Sequence, residues 1–128
     1  MNLEGRKIIV NKSAKELVEM LNSPEKYQEL MPESLQSFEV RDQGFKFSLK
    51  GMPEIALIID EVTENQVTLK SASSSLDFAL KGAMNAISDS QTEVQLLFEG
   101  KFNPFIKMMV EKPLKNFIDA LTDNIEKL

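Results

Sequence analysis

The spacing of apolar and polar residues changes along the chain, and each change predicts a different element. Residues 3–10 are largely apolar and suit a strand. Ser13 followed three residues later by Glu16 has the form of a capping box, which predicts the start of a short helix. Ser23 before Pro24 predicts the cap of a second short helix, because the first helical position tolerates proline.

From Phe38 onward the period is that of strands. Phe45 and Phe47 alternate with Lys46 and Ser48, which is typical of a half-buried strand. The segments GMP, TENQ, the serine cluster and NAISDSQ are predicted turns, and they separate strands predicted over residues 55–62, 67–73, 76–83 and 93–102. Gaps this short leave no room for crossover helices, so the strands should form an antiparallel meander.

The last segment, NPFIKMMVEKPLKNFIDALTDNIEKL, predicts one long helix that begins at Asn103-Pro104. Pro113 lies inside it and should cost about 3 kcal/mol there, which implies either a kink or two successive helices. We favour the kink, because the apolar rows continue through Pro113 in phase, and a helix bent over a curved sheet would leave a cavity beneath it. The two rows form a broad apolar stripe and consist of Met109, Pro113, Phe117, Leu121 and Ile125, and of Ile106, Val110, Leu114 and Ile118.

This order of elements predicts a single α+β domain over residues 1–128. Its sheet would be curved and antiparallel with about seven strands, two short helices would follow the first strand, and the long C-terminal helix would cross the concave face. The order, together with the stretch IIVNKSAKELVEMLNSPEKYQELMPESLQSFEV, resembles the START-like superfamily of helix-grip proteins (SRPBCC), which includes polyketide cyclase and lipid-transport relatives. The resemblance implies a hydrophobic cavity between sheet and terminal helix, used by most members to bind lipids, sterols or other apolar molecules.

Composition narrows the chemistry that this cavity could support. The chain has no His, Cys or Trp, which excludes Ser-His and Cys-His nucleophiles, thiolate or imidazole zinc sites and disulfides. A net charge of −5 with scattered Lys and Arg argues against a nucleic-acid surface. No apolar run approaches the roughly 20 residues of a membrane-spanning helix, and the charged amino terminus is unlike a secretory signal. We therefore expect a cytoplasmic protein with no metal and no cofactor.

Candidate ligand contacts are the residues that should face the cavity from the sheet and from the closing helix. Ser71, with Ser73, would make one end of an inner strand face polar and could orient a hydroxyl or carboxylate, although serines in such a cluster usually belong to a solvated turn. Phe105 and Met108 could add adaptable apolar walls, although such side chains more often belong to the core. The predicted cavity residues are Phe45, Phe47, Leu57, Leu69, Ser71, Phe78, Leu96, Phe98, Met109, Leu114, Phe117 and Leu121.

These residues favour the binding or carrying of a small hydrophobic, lipid-like ligand without catalysis. One alternative is a cyclase or dehydratase-type enzyme in the same cavity, which would need inward-facing acids, serines or Tyr27 as a proton donor; Tyr27 more simply packs its ring with its hydroxyl in water. Another is a filled core that acts through a protein partner. The segment EIALIIDEV has apolar residues on both strand faces, so a homodimer is a further hypothesis.

Overall fold

The structure, a computed structural model, describes residues 1–72 and 76–128. Within these residues the chain forms an antiparallel sheet with two short helices near its start and one long helix at its end. The elements are β1 (Asn2–Glu4), β2 (Ile8–Val10), α1 (Ala14–Leu21), a 3₁₀ turn (Pro24–Lys26), α2 (Tyr27–Leu30), β3 (Leu35–Arg41), β4 (Gly44–Leu49), β5 (Ile55–Thr63), β6 (Gln66–Ser71), β7 (Asp77–Ser88), β8 (Gln91–Lys101) and α3 (Pro104–Glu126).

The sheet is a meander in which consecutive strands from β3 to β8 are neighbours. Its order is β1-β8-β7-β6-β5-β4-β3, and β2 also pairs with β8, so β1 and β2 lie along the same side of β8. All pairings are antiparallel, as the short predicted gaps required. The predicted α+β class and strand arrangement are confirmed.

The predicted first strand is divided into two at Gly5. The Gly5 amide donates a hydrogen bond of 2.8 Å to the carbonyl oxygen of Leu96, and the backbone there runs close under helix α3. A Cβ on Gly5 would lie 3.2 Å from Thr122 Oγ1 and 3.4 Å from Ile118 Cγ2. The absence of a side chain at Gly5 therefore lets α3 approach the sheet edge.

The segment NAISDSQ is mostly strand, so the predicted turn over the whole segment is wrong. Strand β7 continues to Ser88, and only Asp89 and Ser90 separate it from β8. Residues 85–91 are exposed, because this end of the hairpin extends beyond the core. Its polar composition thus indicates a solvent-exposed end of the β7–β8 hairpin. The long β7–β8 ladder supplies the hydrogen bonds of the backbone there. The predicted strand end at Ser73 lies outside the described residues.

The two short helices differ in how they begin. Ser13 caps α1 with the predicted capping box: its Oγ accepts a 3.1 Å hydrogen bond from the Glu16 amide, and the Glu16 carboxylate accepts from the Ser13 amide. Ser23 makes no side-chain cap, contrary to prediction, because its hydroxyl donates instead to the Glu19 carbonyl at the end of α1. The carboxyl end of α2 is held by α3, since the Asn124 side-chain amide donates to the Leu30 carbonyl at 2.8 Å.

Helix α3 runs unbroken through Pro113, so the alternative of two helices is wrong, while the kink stays a prediction. Its amino terminus is capped as predicted, because Asn103 Oδ1 accepts from the Ile106 amide at 2.9 Å. Met109 was predicted to lie in the buried stripe, but it is 58% exposed. In this turn of α3 the residue that faces the core is the next one, Val110. No helix in the described part of the chain is long and apolar enough to cross a membrane.

The core lies between α3 and the concave face of the sheet, and aromatic rings link the two layers. Phe47 of β4 stacks on Phe117 of α3 with ring centroids 5.4 Å apart. Tyr27 stacks on Phe45 at 4.7 Å, which joins α2 to the same layer. On β5, Ile58 is 38% exposed on the outer face, so the predicted two-sided apolar strand is present; the homodimer stays a prediction.

Candidate functional site: a cleft beside Pro113

An open cleft lies where the middle of α3 passes the end of β4. Three segments form it: the connection between α2 and β3, the turn between β4 and β5, and one side of α3. The cleft has a volume of about 380 Å³. We call it the Pro113 cleft; it is lined by Pro32, Ser34, Leu49, Lys50, Gly51, Met52, Pro113, Asn116, Phe117 and Ala120.

The local sequence explains the shape of the turn that closes one side of the cleft. Gly51 has φ = +83°, a conformation that favours glycine. The Met52 amide donates to the Leu49 carbonyl at 3.1 Å, and the Lys50 amide donates to the Ser34 carbonyl at 3.0 Å. These bonds hold the turn against the α2–β3 connection, so two walls of the cleft are joined directly.

The cleft has an apolar floor and a polar rim. Leu49 and Phe117 are 4% and 6% exposed, so the floor is the surface of the core itself. Lys50 and Asn116 lie at the rim and are exposed, and Lys50 is the one charged residue in the described lining. This arrangement can bury an apolar body while a polar or anionic end stays near Lys50.

The interior beneath α3 is nearly filled. A void of about 20 Å³ remains between helix and sheet, lined by Leu21, Tyr27, Val67, Leu69, Leu80, Gly82, Leu96, Leu121 and Ile125. A void of this size holds about one water molecule. The predicted cavity between sheet and helix is therefore present only as a remnant, because large side chains from both layers meet across it.

The predicted ligand residues are divided among five environments. Leu69, Leu96 and Leu121 line the interior void. Phe117 lines the Pro113 cleft, Ser71 is half-buried at the end of β6, and Met109 is exposed on α3. The others are buried in the core and line neither space: Phe45, Phe47, Leu57, Phe78, Phe98 and Leu114.

Tyr27 is a core residue, and the expected placement of its hydroxyl in water is wrong. Its side chain is 3% exposed, and its hydroxyl donates a 2.6 Å hydrogen bond to the Leu21 carbonyl. Burial raises the pKa of Tyr27 above its ordinary value. The hydroxyl thus satisfies the carboxyl end of α1 and is not available at the cleft as a proton donor.

Sequence reasoning missed most of the cleft lining. Ser34, Lys50 and Met52 lie in connections where no periodicity indicates which way a side chain points, and Asn116 and Ala120 lie at the border of the apolar stripe. Three residues did carry a signal: Phe117 lies in the apolar stripe and was predicted as a cavity residue, Pro113 marks an irregular place in the helix, and Gly51 marks a tight turn.

Solved structures with the same architecture are similar to nearly the whole chain, at low sequence identity. KanY matches with a TM-score of 0.80 at 11% identity, covering 99% of this chain and 95% of that one. Norcoclaurine synthase from Thalictrum flavum, solved with dopamine and hydroxybenzaldehyde, matches with a TM-score of 0.72 at 13% identity, covering 99% and 84%. A START superfamily protein from Mycobacterium smegmatis matches with a TM-score of 0.67 at 13% identity, covering 98% and 94%.

These similarities show that the chain has the START-like helix-grip fold. No protein-family model matches the sequence, and no curated protein matches it at a significant level. The fold is therefore identified by structure, and the function has to be argued from the site.

Proposed function

We propose that this START-like domain binds a small hydrophobic molecule with one polar end in the Pro113 cleft, without catalysing a reaction on it. The observation that carries the proposal is the cleft itself, whose volume of about 380 Å³ lies within the common range of ligand sites, roughly 300–1,000 Å³. Leu49 and Phe117 at its floor are already buried, so most of the gain would come from covering the ligand's own apolar surface, at about 25 cal/mol for each Å² removed from water.

The proposal places the ligand beside α3 and not beneath it. The interior void of about 20 Å³ is too small for anything larger than water unless α3 moves away from the sheet. Such a movement would separate the stacked rings of Phe47 and Phe117, which are 5.4 Å apart. The open cleft needs no such rearrangement, and it lies against the turn of α3 that contains Pro113.

Binding without catalysis is proposed because Lys50 is the one titratable side chain in the described lining of the cleft. General acid-base chemistry needs positioned groups with suitable pKa values, and Tyr27 is hydrogen-bonded elsewhere. The cyclase or dehydratase alternative would gain support from turnover of an apolar substrate. The filled-core alternative would gain support from a protein that neither carries nor takes up an apolar molecule.

A titration with Nile red, a neutral apolar dye, tests the proposal. Asn116→Trp places a large ring at the rim, while Asp119→Trp adds the same ring at an exposed position of α3 outside the lining. We expect the dye to bind the wild type and Asp119→Trp alike, and Asn116→Trp about tenfold more weakly, which corresponds to about 1.4 kcal/mol. Equal binding to all three proteins would place the dye elsewhere, and no binding to the wild type would contradict the proposal.

Mass spectrometry of an organic extract of the purified protein complements the titration. A stoichiometric hydrophobic compound, reduced in the Asn116→Trp protein and retained in Asp119→Trp, is the expected result. A compound retained equally by both variants would contradict binding in the cleft.

A further inference from the structure

The amino-terminal turns of α3 expose three large apolar side chains together. Phe105, Met108 and Met109 are 70%, 82% and 58% exposed. Their spacing of three and four residues puts them on one side of the helix, so they form one surface, which we call the helix tip patch. Contiguous apolar surface of this kind indicates an interaction site more strongly than single exposed residues do.

The helix tip patch lies at the same end of the molecule as the Pro113 cleft. Strand pairing brings Asp77 opposite Lys101, so the start of β7 and the start of α3 lie at one sheet end. The β4–β5 turn, which contributes Met52 to the cleft, also emerges there. Met109 precedes Pro113 by four residues and therefore lies one turn away on the same side of α3.

The chain segment that carries the patch has a net charge opposite in sign to that of the whole protein. Residues 101–115 contain four lysines and one glutamate and so carry +3, whereas the whole chain carries −5. Glu111 is 4.0 Å from Lys107, and within the described residues neither Lys101 nor Lys112 has an ion-pair partner. The patch is thus an apolar surface bordered by available positive charge.

We propose that the helix tip patch docks on the anionic lipid surface of a membrane. Helices that lie at such surfaces combine aromatic or other large apolar residues with lysines, as this segment does. Unbranched methionine side chains adapt to the irregular boundary between headgroups and acyl chains. A second copy of the chain is a poorer occupant, since two patches meeting face to face would bring their like charges together. The proposal does not depend on a ligand in the cleft.

Sedimentation with vesicles of phosphatidylcholine alone, or with phosphatidylglycerol added, tests the docking. We expect binding to the anionic vesicles and little to the neutral ones. The double variant Phe105→Ala with Met108→Ala should bind about tenfold more weakly. The matched control, Val40→Ala with Ile87→Ala, removes apolar side chains that are 49% and 51% exposed elsewhere and should bind like the wild type.

A second pair of variants tests the charge. Lys107→Gln with Lys112→Gln should weaken binding to anionic vesicles about thirtyfold, because each lysine near such a surface contributes about a factor of five. Lys15→Gln with Lys127→Gln changes the net charge equally at exposed positions away from the patch, since Lys15 lies beside the β5–β6 turn at the other sheet end, and should have a small effect.

Three results would overturn the docking proposal. The first is no vesicle binding by the wild type, and the second is equal weakening by the patch variants and their controls. The third is a dimer in gel filtration that the Phe105→Ala and Met108→Ala variant dissociates, because the patch would then be a self-association surface. Nile red binding in the cleft is measured without vesicles, so any of these results leaves the cleft proposal to be judged separately.

Discussion

Replacing Gly82 with alanine should stabilise the protein by filling the interior void. Gly82 lies on β7 between Val67 of β6 and Leu96 of β8, and it lines the void. A Cβ at this position would meet Leu21 Cδ1, Leu96 Cδ2 and the Val67 carbonyl oxygen, each at 3.8 Å. These are ordinary van der Waals distances, so the methyl group fits without displacing a neighbour.

The expected gain follows from two contributions. Burying one methyl group contributes about 0.8 kcal/mol. Restricting the unfolded chain contributes a further ~0.4–1 kcal/mol, because alanine has fewer accessible backbone conformations than glycine. The free energy of unfolding should therefore rise by about 1–2 kcal/mol, which for a domain of this size corresponds to a Tm increase of roughly 4–8 °C.

Urea unfolding and thermal unfolding of the wild type and Gly82→Ala measure this gain directly. Gly44→Ala is the contrasting variant, because its Cβ would collide with the Leu57 carbonyl oxygen of the paired strand and should destabilise the protein. A loss of stability in Gly82→Ala would refute the reasoning, since it would mean that the space beside Gly82 is not open. Loss of Nile red binding in the same variant would place the dye in the interior void.

Three smaller predictions follow from individual contacts. Thr122→Val should raise the free energy of unfolding by about 1 kcal/mol, because the Thr122 hydroxyl is buried without a hydrogen-bond partner among the described residues; a loss in chemical denaturation would indicate a partner that valine cannot replace. Ser13→Ala should lower it by about 1 kcal/mol through loss of the α1 cap, and Ser13→Thr should retain most of the stability. The third prediction concerns Arg6, whose guanidinium donates to Asp123 at 2.6 Å and to Glu126 at 2.9 Å. The hydrogen bond from Arg6 lowers the pKa of Glu126. The stability from this contact should be fully present above about pH 4.3, the ordinary glutamate pKa, and should be lost as the pH falls through the lower pKa of Glu126 in the folded protein. The Tm difference between the wild type and Arg6→Ala should therefore shrink toward about pH 3. An unchanged difference would show that Arg6 acts through packing.

The predictable part of the fold is the part in which local chemistry and packing agree. Asn103 and Pro104 begin α3 because the cap and the fixed φ of proline act on adjacent residues. Phe45 and Phe47 are 1% exposed because strand alternation and burial select the same face. Class, strand order and the position of the terminal helix could therefore be derived from pattern alone.

The unpredicted part depends on contacts between segments that are distant in sequence. Ser23 looks like a cap, but its hydroxyl meets the Glu19 carbonyl of the preceding helix. Met109 is in phase with the apolar row but lies on a turn that the sheet does not cover, so it remains exposed. Strand β7 reaches Ser88 because its partner β8 extends equally far. The residue pattern of one strand does not predict the length of its pairing with another.

The candidate site was harder to predict than the fold for a related reason. The residue pattern predicts a helix over a curved sheet, but a cavity beneath it exists only if the side chains leave space there. Rings such as those of Phe47 and Phe117 fill that space. The cleft arises where the Gly51 turn, Pro32 and the Pro113 turn of α3 fail to meet completely. The position of such a gap depends on how loops are placed, and residue type alone does not encode it.

Methyl NMR during a titration with Nile red tests the cleft proposal most directly. The account predicts that the methyl signals of Met52 and Ala120, which line the Pro113 cleft, shift in proportion to bound dye while those of Leu21 and Leu80, which line the interior void, do not. Shifts confined to the Leu21 and Leu80 methyls would mean that the helix opens and that the ligand enters the core, which would contradict the account.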